Sequence, residues 1–499
     1  MHATPLAIPS VRLAGSSPVR ESRGSRAAAV VGLIALALTL AGSWVPSYWS
    51  DEVATLRASR LSWQELFAFL QHKDAVHAAY YSIMKLWVGF FGESEFATRS
   101  LSAVAVGVAA AGLVILVTSK ASVRTAVVAG LIFAVLPRTT SMGIEARSFA
   151  LTAAFSVWTN VALLAAVRTR NWRWWAGYAL VGTVGTYLFL HSVLIFAAHL
   201  AFLMMDHRVR RVLVPWLMSA SAAVAAALPI LIESVTQKDQ IAWLSDQPVV
   251  NAWTILVEPM YDSSWLVAAF GWCALLLLAV RFQTTAMGPE DSLVRLVAAW
   301  FLAPLALLLT ADAVVGPLYT ARYLSFTVPA IAVLLAMAFT MSSRPAVALI
   351  LIAALALASA PTYLAQRSPF AKNGGSDLSQ IADYVRSNAV EGDAVYLQDT
   401  GSVTRRPRQA LYAYPTAFAH TEDVAFEAPF TTTGTFSDRT RSLEEIGPRL
   451  AGVDRMWVIT AGTGSSRAAK KADAELQSKG FFDTRSQDTN RSLITLYER

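Results

Sequence analysis

Cysteine and charge are both scarce in this chain. A single cysteine, Cys273, among 499 residues excludes a disulfide framework and any Cys-rich metal centre. Lying inside an apolar run, it reads as a small buried hydrophobe. Charged residues make up only 15% of the sequence, against about a quarter in an average soluble domain. Hydrophobic residues make up 55% and the mean hydropathy is +0.46. A wholly soluble protein is therefore excluded, and a polytopic membrane protein is implied. Acids are the scarcer sign, 34 against 41 Lys and Arg, for a net charge of +7. A basic surplus can mark a nucleic-acid binder. Here, however, the basic residues fall mostly between apolar runs, where the positive-inside rule places them, so no nucleic-acid partner is expected. No internal repeat is visible.

What is abundant is the long apolar run. The first, Ala27 to Pro46, carries no charge and is about long enough to cross a bilayer as a helix. Before it, residues 1–26 are Ser/Pro-rich with Arg12, Arg20, Arg23 and Arg26, the composition of a disordered cytoplasmic tail. Arginines ahead of an apolar run resemble a signal peptide, but the length of the run and the runs that follow favour an uncleaved first span. Further spans are expected near 97–118, 122–138, 148–167, 174–190, 191–205, 212–232, 263–281, 294–311, 321–341 and 345–362. With the N-terminus inside, Lys120 and Arg124, Arg168 to Arg173, Arg208 to Arg211, Arg281 and Arg295, and Arg344 all fall on the inner side, as the charge rule requires. The expected fold is thus a polytopic α-helical membrane protein of about eleven transmembrane helices in a multi-pass cell-membrane location. Residues 363–375, with Pro369 and Gly374-Gly375, form a linker. Beyond it, residues 376–499 are expected outside the cytoplasm as a small α/β domain. Helices are expected at Asp377 to Ser387 and Ser466 to Ser478, and strands at Ala394 to Leu397, Met456 to Thr460 and Ser492 to Tyr497.

Polar residues gather on the outer side of this topology. Asp51 and Glu52 follow the first span within a long outer loop, residues 47–96. That loop carries a short amphipathic helix signalled by Ser62 and Glu65, then an interfacial helix at His77 to Trp87 that contains Lys85. A His/Asp pair drawn from His72, Asp74 and His77 could hold a divalent metal, though no ligand spacing is diagnostic and the metal stays unknown. Glu145 and Arg147 lie at an outer lip, because charge at mid-bilayer costs roughly 2.5–3.5 kcal/mol. Arg322 enters a late span between Tyr319 and Tyr323, and His191 sits in an outer turn. Arginine forks suit phosphate, carboxylates suit deprotonation of a hydroxyl, and aromatics suit sugar faces and lipid chains. A transporter would instead place charge or broken helices at mid-membrane, where these spans are almost clean.

Taken in order, Trp49-Ser50-Asp51-Glu52 after the first span, His77 to Trp87 followed by Phe91 to Arg99, Glu145-Ala146-Arg147-Ser148-Phe149, and Arg322-Tyr323-Leu324 resemble the GT-C glycosyltransferases. These include protein O-mannosyltransferases, bacterial aminoarabinose transferases and actinobacterial envelope mannosyl- and arabinosyltransferases. The resemblance covers most of the membrane part, residues 27–362, and the C-terminal α/β domain fits it. It implies an inverting transfer of a sugar, mannose or another such as arabinose, from a polyprenyl-phosphate-sugar to a hydroxyl of an envelope glycolipid, glycan or protein. A non-catalytic envelope carrier or assembly protein is the alternative. Asp51 matches the family's acidic base, with Glu52 beside it as competing candidate. Arg147 matches an arginine near the donor phosphate. Arg322, His77, Tyr319 and Tyr323 are the further donor-binding candidates, and Glu145 and His191 the supporting ones. Two departures stand out. His77-Ala78-Ala79 replaces the family's His-Pro-Pro or Lys-Pro-Pro, which leaves the role of His77 open. No Asp-x-Asp pattern lies near Asp51, so a required divalent metal is not implied.

Overall fold

The computed structural model describes residues 18–246, 249–284 and 289–499. Helix α1 spans Pro18–Leu40. It therefore begins inside the segment expected to be a disordered tail, of which residues 1–17 lie outside the described residues. It also ends short of the apolar run. Arg367 sets that end: its guanidinium donates to the carbonyls of Ala41 (2.6 Å), Thr39 (3.3 Å) and Leu38 (3.4 Å). A helix C-terminus leaves such carbonyls unpaired. Gly42 then turns the chain at φ +73°, a conformation that suits glycine.

The segment 47–96 carries the two expected helices and, before them, a third that was not expected. Helix α2 is Ser50–Arg60, α3 is Trp63–Leu70 and α4 is Ala78–Phe91. Ser62 and Glu65 form the expected reciprocal cap on α3. Lys85 on α4 turns back to donate to the carbonyls of Ser59 and Leu61 at the end of α2.

The membrane body continues with α5, Glu95–Thr118, α6, Val123–Val135, α7, Pro137–Met142, and α8, Phe149–Thr169. Helices Trp172–Leu188, Leu194–Met205, Leu213–Thr236, Trp265–Thr284, Pro289–Val315, Val328–Phe339 and Pro345–Ala365 follow. Each run expected to span is helical. Among the described residues, eight helices have the length and hydropathy to cross a membrane, while Val123–Val135 and Leu190–Met205 are shorter apolar helices. Small residues let the backbones close up: a Cβ on Gly32 of α1 would meet the Gly107 carbonyl of α5 at 2.9 Å. Cys273 lies on the exposed side of its helix rather than buried.

The C-terminal part contains β1 (Asp393–Leu397), β2 (Thr421–Asp423), β3 (Phe426–Ala428), β4 (Arg439–Thr440), β5 (Arg455–Ala461), β6 (Phe482–Asp488) and β7 (Ser492–Glu498). The main sheet has the order β2-β1-β5-β7-β6. Strand β1 runs parallel to β2 and β5, and β7 antiparallel to β5 and β6. Side chains alternate across it, as the strand period demands. Ala394, Tyr396, Met456 and Val458 pack with Ala472 and Leu476 of helix Arg467–Gln477. Val395, Leu397, Trp457 and Ile459 pack with Ile381 and Val385 of helix Leu378–Asn388. Tyr48, Val53 and Leu56 join this second cluster, so α2 is shared between the sheet domain and the helical body.

Candidate active site

Helix α2 is short, and little in its own sequence would hold it. Its contacts do. Glu52 is fully buried against Arg99 of α5, which is equally buried. Arg99 Nε and Nη2 donate to the two Glu52 oxygens at 2.8 and 2.7 Å. The remaining donors of the fork go to the carbonyls of Ser43 (2.7 Å), Pro46 (2.7 Å) and Ser47 (3.3 Å). All the N–H groups of this guanidinium are satisfied. Glu52 Oε1 also accepts the Ala146 N–H at 2.9 Å, and the Thr55 hydroxyl donates to the Ala146 carbonyl at 3.1 Å. The loop before α8 is thereby tied to the first turn of α2.

That tie brings Arg147 under Asp51. Arg147 Nη1 donates to the Asp51 carbonyl at 3.4 Å and to the Tyr81 hydroxyl at 3.5 Å. Its Nη2 lies 2.9 Å from His77 Nε2. Burial, and then the Arg147 charge, push the His77 imidazole well below its usual value. His77 is therefore neutral, and Nε2 accepts the Arg147 proton. Asp51, one residue before Glu52, points elsewhere, as neighbouring helical residues must. Its Oδ2 meets Arg322 Nη1 at 3.1 Å, with both side chains 27% exposed. Arg322 lies over the rings of Trp49 and Trp243, 6.0 and 5.0 Å from their centroids. Tyr323, next in sequence, stacks on His191 at 4.5 Å.

Asp51, Arg147, Arg322 and His77 thus converge, with Tyr323 and His191 beside them. Three other candidates are engaged elsewhere. Glu52 is spent on Arg99. Glu145 pairs with Lys372 of the linker at 3.0 Å. Tyr319 turns its hydroxyl to the Thr254 carbonyl. Asp312 accepts the N–H groups of Leu318 and Tyr319, both at 2.7 Å, and is not the partner of Arg322. The pair considered for a metal is also occupied, since Asp74 Oδ2 accepts the Tyr81 hydroxyl at 2.7 Å and His77 meets Arg147. Among the described residues, no three His, Cys, Asp or Glu side chains converge as metal ligands.

Sequence reasoning missed the residues that dock the sheet domain. Arg57 of α2 pairs with Asp438 and donates to the Phe436 carbonyl at 2.6 Å. Its guanidinium lies over Tyr412 at 3.6 Å and Phe430 at 4.1 Å. Phe436, at the tip between β3 and β4, meets Phe69 at 4.8 Å and Tyr81 at 6.2 Å. A charged residue two turns into a helix that begins with a carboxylate pair was the one available signal. Arg408 of the sheet domain is likewise fully buried, against Asp423.

Comparison with known proteins agrees with this architecture. Residues 77–232 match the family described as dolichyl-phosphate-mannose-protein mannosyltransferase. No curated protein matches the chain in sequence. In fold, the chain is similar to ArnT from Cupriavidus metallidurans in the apo state, with a TM-score of 0.59 at 11% identity, covering 94% of this chain and 97% of that one. It is similarly close to the same protein bound to undecaprenyl phosphate, with a TM-score of 0.58 at 11% identity and the same coverage. The chain thus resembles this mannosyltransferase family in sequence over residues 77–232 and shares the overall fold of ArnT.

Proposed function

We propose that the chain is an inverting glycosyltransferase that moves a sugar, mannose in this reading, from a polyprenyl-phosphate-sugar to a hydroxyl. The acceptor would be an envelope glycolipid, glycan or protein at the outer face of the membrane, with the N-terminus cytoplasmic and the sheet domain outside. One observation carries the reading: a single half-exposed carboxylate, Asp51, stands between two arginines, with Arg322 at its side chain and Arg147 beneath its backbone. The carrier is supported by ArnT, which has this fold and is described bound to undecaprenyl phosphate. Mannose is supported by the family matched over residues 77–232. The alternation of Lys and Arg along the sequence supports the orientation.

The chemistry asks for one base. A hydroxyl is a poor nucleophile until its proton leaves as it attacks. Asp51 takes that proton at Oδ1, which accepts no hydrogen bond among the described residues. The acceptor oxygen bonds to the anomeric carbon from the opposite side to the phosphate. The bond from that carbon to the phosphate oxygen breaks, and its electron pair leaves with polyprenyl phosphate. Phosphate needs no protonation to depart, so a second carboxylate, as in most glycoside hydrolases, is unnecessary. Arg147 and Arg322 offset the charge gathering on the leaving phosphate. Glu52, saturated by Arg99, positions α2.

The test is Asp51→Asn in native membranes supplied with labelled polyprenyl-phosphate-mannose. Turnover should drop by roughly a hundredfold to ten-thousandfold with the protein still inserted. Near-normal turnover would sink the assignment.

A further inference from the structure

The arginines around α2 differ in how far they are used. Arg99 has every N–H satisfied. Arg147 donates to Asp51, Tyr81 and His77. The Arg322 guanidinium makes one hydrogen bond among the described residues, to Asp51 Oδ2 at 3.1 Å, although such a group carries five N–H donors. It is half-exposed, and its flanks are the faces of Trp49 and Trp243. Aromatic faces attract a cation without fixing it as a carbonyl cage does. Arg322 is therefore a partly exposed charged fork with one tether and donors to spare.

We propose that Arg322 serves two partners in turn. In the free protein it is a positioning residue that holds Asp51. When a lipid-linked phosphate arrives, its fork turns to the phosphate and releases Asp51 Oδ2. Rested on the glycosyltransferase reading above, this makes binding ordered: Asp51, no longer tethered at Oδ2, is free to turn its carboxylate to an acceptor hydroxyl once the donor is in place. The exchange is favourable because a phosphate offers the fork paired, charge-assisted acceptors, whereas Asp51 engages one nitrogen. The pair is only partly buried and rests on one hydrogen bond, so breaking it costs little beside a sealed, doubly bonded pair.

The exchange has a signature that a simple base would not give. If Asp51 competes with phosphate for Arg322, removing its charge strengthens phosphate binding, and this gain depends on Arg322. The probe is undecaprenyl phosphate, titrated against the purified full-length protein in lipid nanodiscs. Asp51→Asn should tighten binding by roughly two- to fivefold, the range that an exposed ion pair supports. In an Arg322→Gln background, where binding is weaker from the start, Asp51→Asn should add nothing, since the two residues are coupled. An equal gain in both backgrounds would mean that Asp51 merely repels phosphate, and it overturns the exchange. So does the absence of any gain. Either result leaves the base assignment standing, because that rests on turnover. Failure of the wild-type protein to bind undecaprenyl phosphate removes the carrier reading and the exchange together.

Discussion

Asp51 and Glu52 are adjacent carboxylates on one helical turn, each facing an arginine, and they differ in nearly everything else. Glu52 and Arg99 are sealed from solvent and joined by two parallel hydrogen bonds, with three backbone carbonyls completing the fork. Asp51 and Arg322 share one bond at 3.1 Å and remain partly in water. A buried charge pair is tolerable when its donors are satisfied, and it penalises loss of either partner. An exposed pair contributes little and breaks easily. Helix α2 is held in place by the first kind, and in the proposed mechanism the second kind is the one that opens for chemistry.

The largest expected effect separates the pairs by stability. Glu52→Ala should destabilise the fold by about 3–5 kcal/mol, because it strands the Arg99 charge. Asp51→Ala should cost no more than about 1 kcal/mol. Thermal unfolding of purified protein in one detergent compares them, and equal losses would erase the distinction. Replacing both partners, Glu52→Gln with Arg99→Met, should recover part of the loss, since no lone charge remains buried.

Next comes Arg147, whose three hydrogen bonds place it between structure and ligand. Arg147→Ala should weaken undecaprenyl phosphate binding by roughly tenfold to a hundredfold, the worth of charged hydrogen bonds. Arg147→Lys should restore only part, because an ammonium cannot reproduce a planar fork. Wild-type affinity in both variants would reduce Arg147 to a headgroup anchor.

A smaller effect is expected where α2 meets the sheet domain. Arg57→Ala should loosen the tip between β3 and β4 by about 2 kcal/mol, since Asp438 and the Phe436 carbonyl lose their donor. Hydrogen exchange at residues 430–438 reads this directly. Unchanged protection would show that the aromatic contacts of Phe430 and Phe436 with Phe69 suffice.

These contrasts also mark what was legible in the sequence. Spans were, because apolar runs of this length have few other uses. Strands β1, β5 and β7 were too, since each is a short, nearly continuous apolar stretch buried on both faces. Helix α2 was not. Ser-Asp-Glu-Val-Ala-Thr-Leu-Arg-Ala-Ser-Arg has a weak apolar stripe, and its helix depends on Glu52, Thr55 and Arg57 reaching distant partners. Strand β6 is exposed at every position, so Phe482 to Asp488 carries no burial pattern to read. In the candidate site, Asp51 and Arg147 could be singled out because each stands at the end of an apolar run. Nothing local separated Asp51 from Glu52 or picked out Arg99. That distinction is made by the carbonyls of Ser43, Pro46 and Ser47 and by the Ala146 amide, all brought in by tertiary structure.

The finest contrast concerns His77, a titratable group held neutral beside a fixed cation. Burial and the Arg147 charge keep its folded-state pKa well below the usual value. An unfolded chain takes a proton on this imidazole below about pH 6.5, while the native protein does not. The unfolded state then binds more protons, so stability rises with pH in that window. The contribution is fully present above about 6.5 and is lost as pH falls toward the folded-state value. Between about pH 6.5 and about pH 5.5, His77 should cost the wild type at most about 1 kcal/mol more than it costs His77→Gln. Glutamine can still accept from Arg147 through its carbonyl oxygen but does not titrate. Parallel melts of the two proteins across that interval provide the check. If the variant loses stability as steeply as the wild type, His77 is not the neutral acceptor of the Arg147 hydrogen bond.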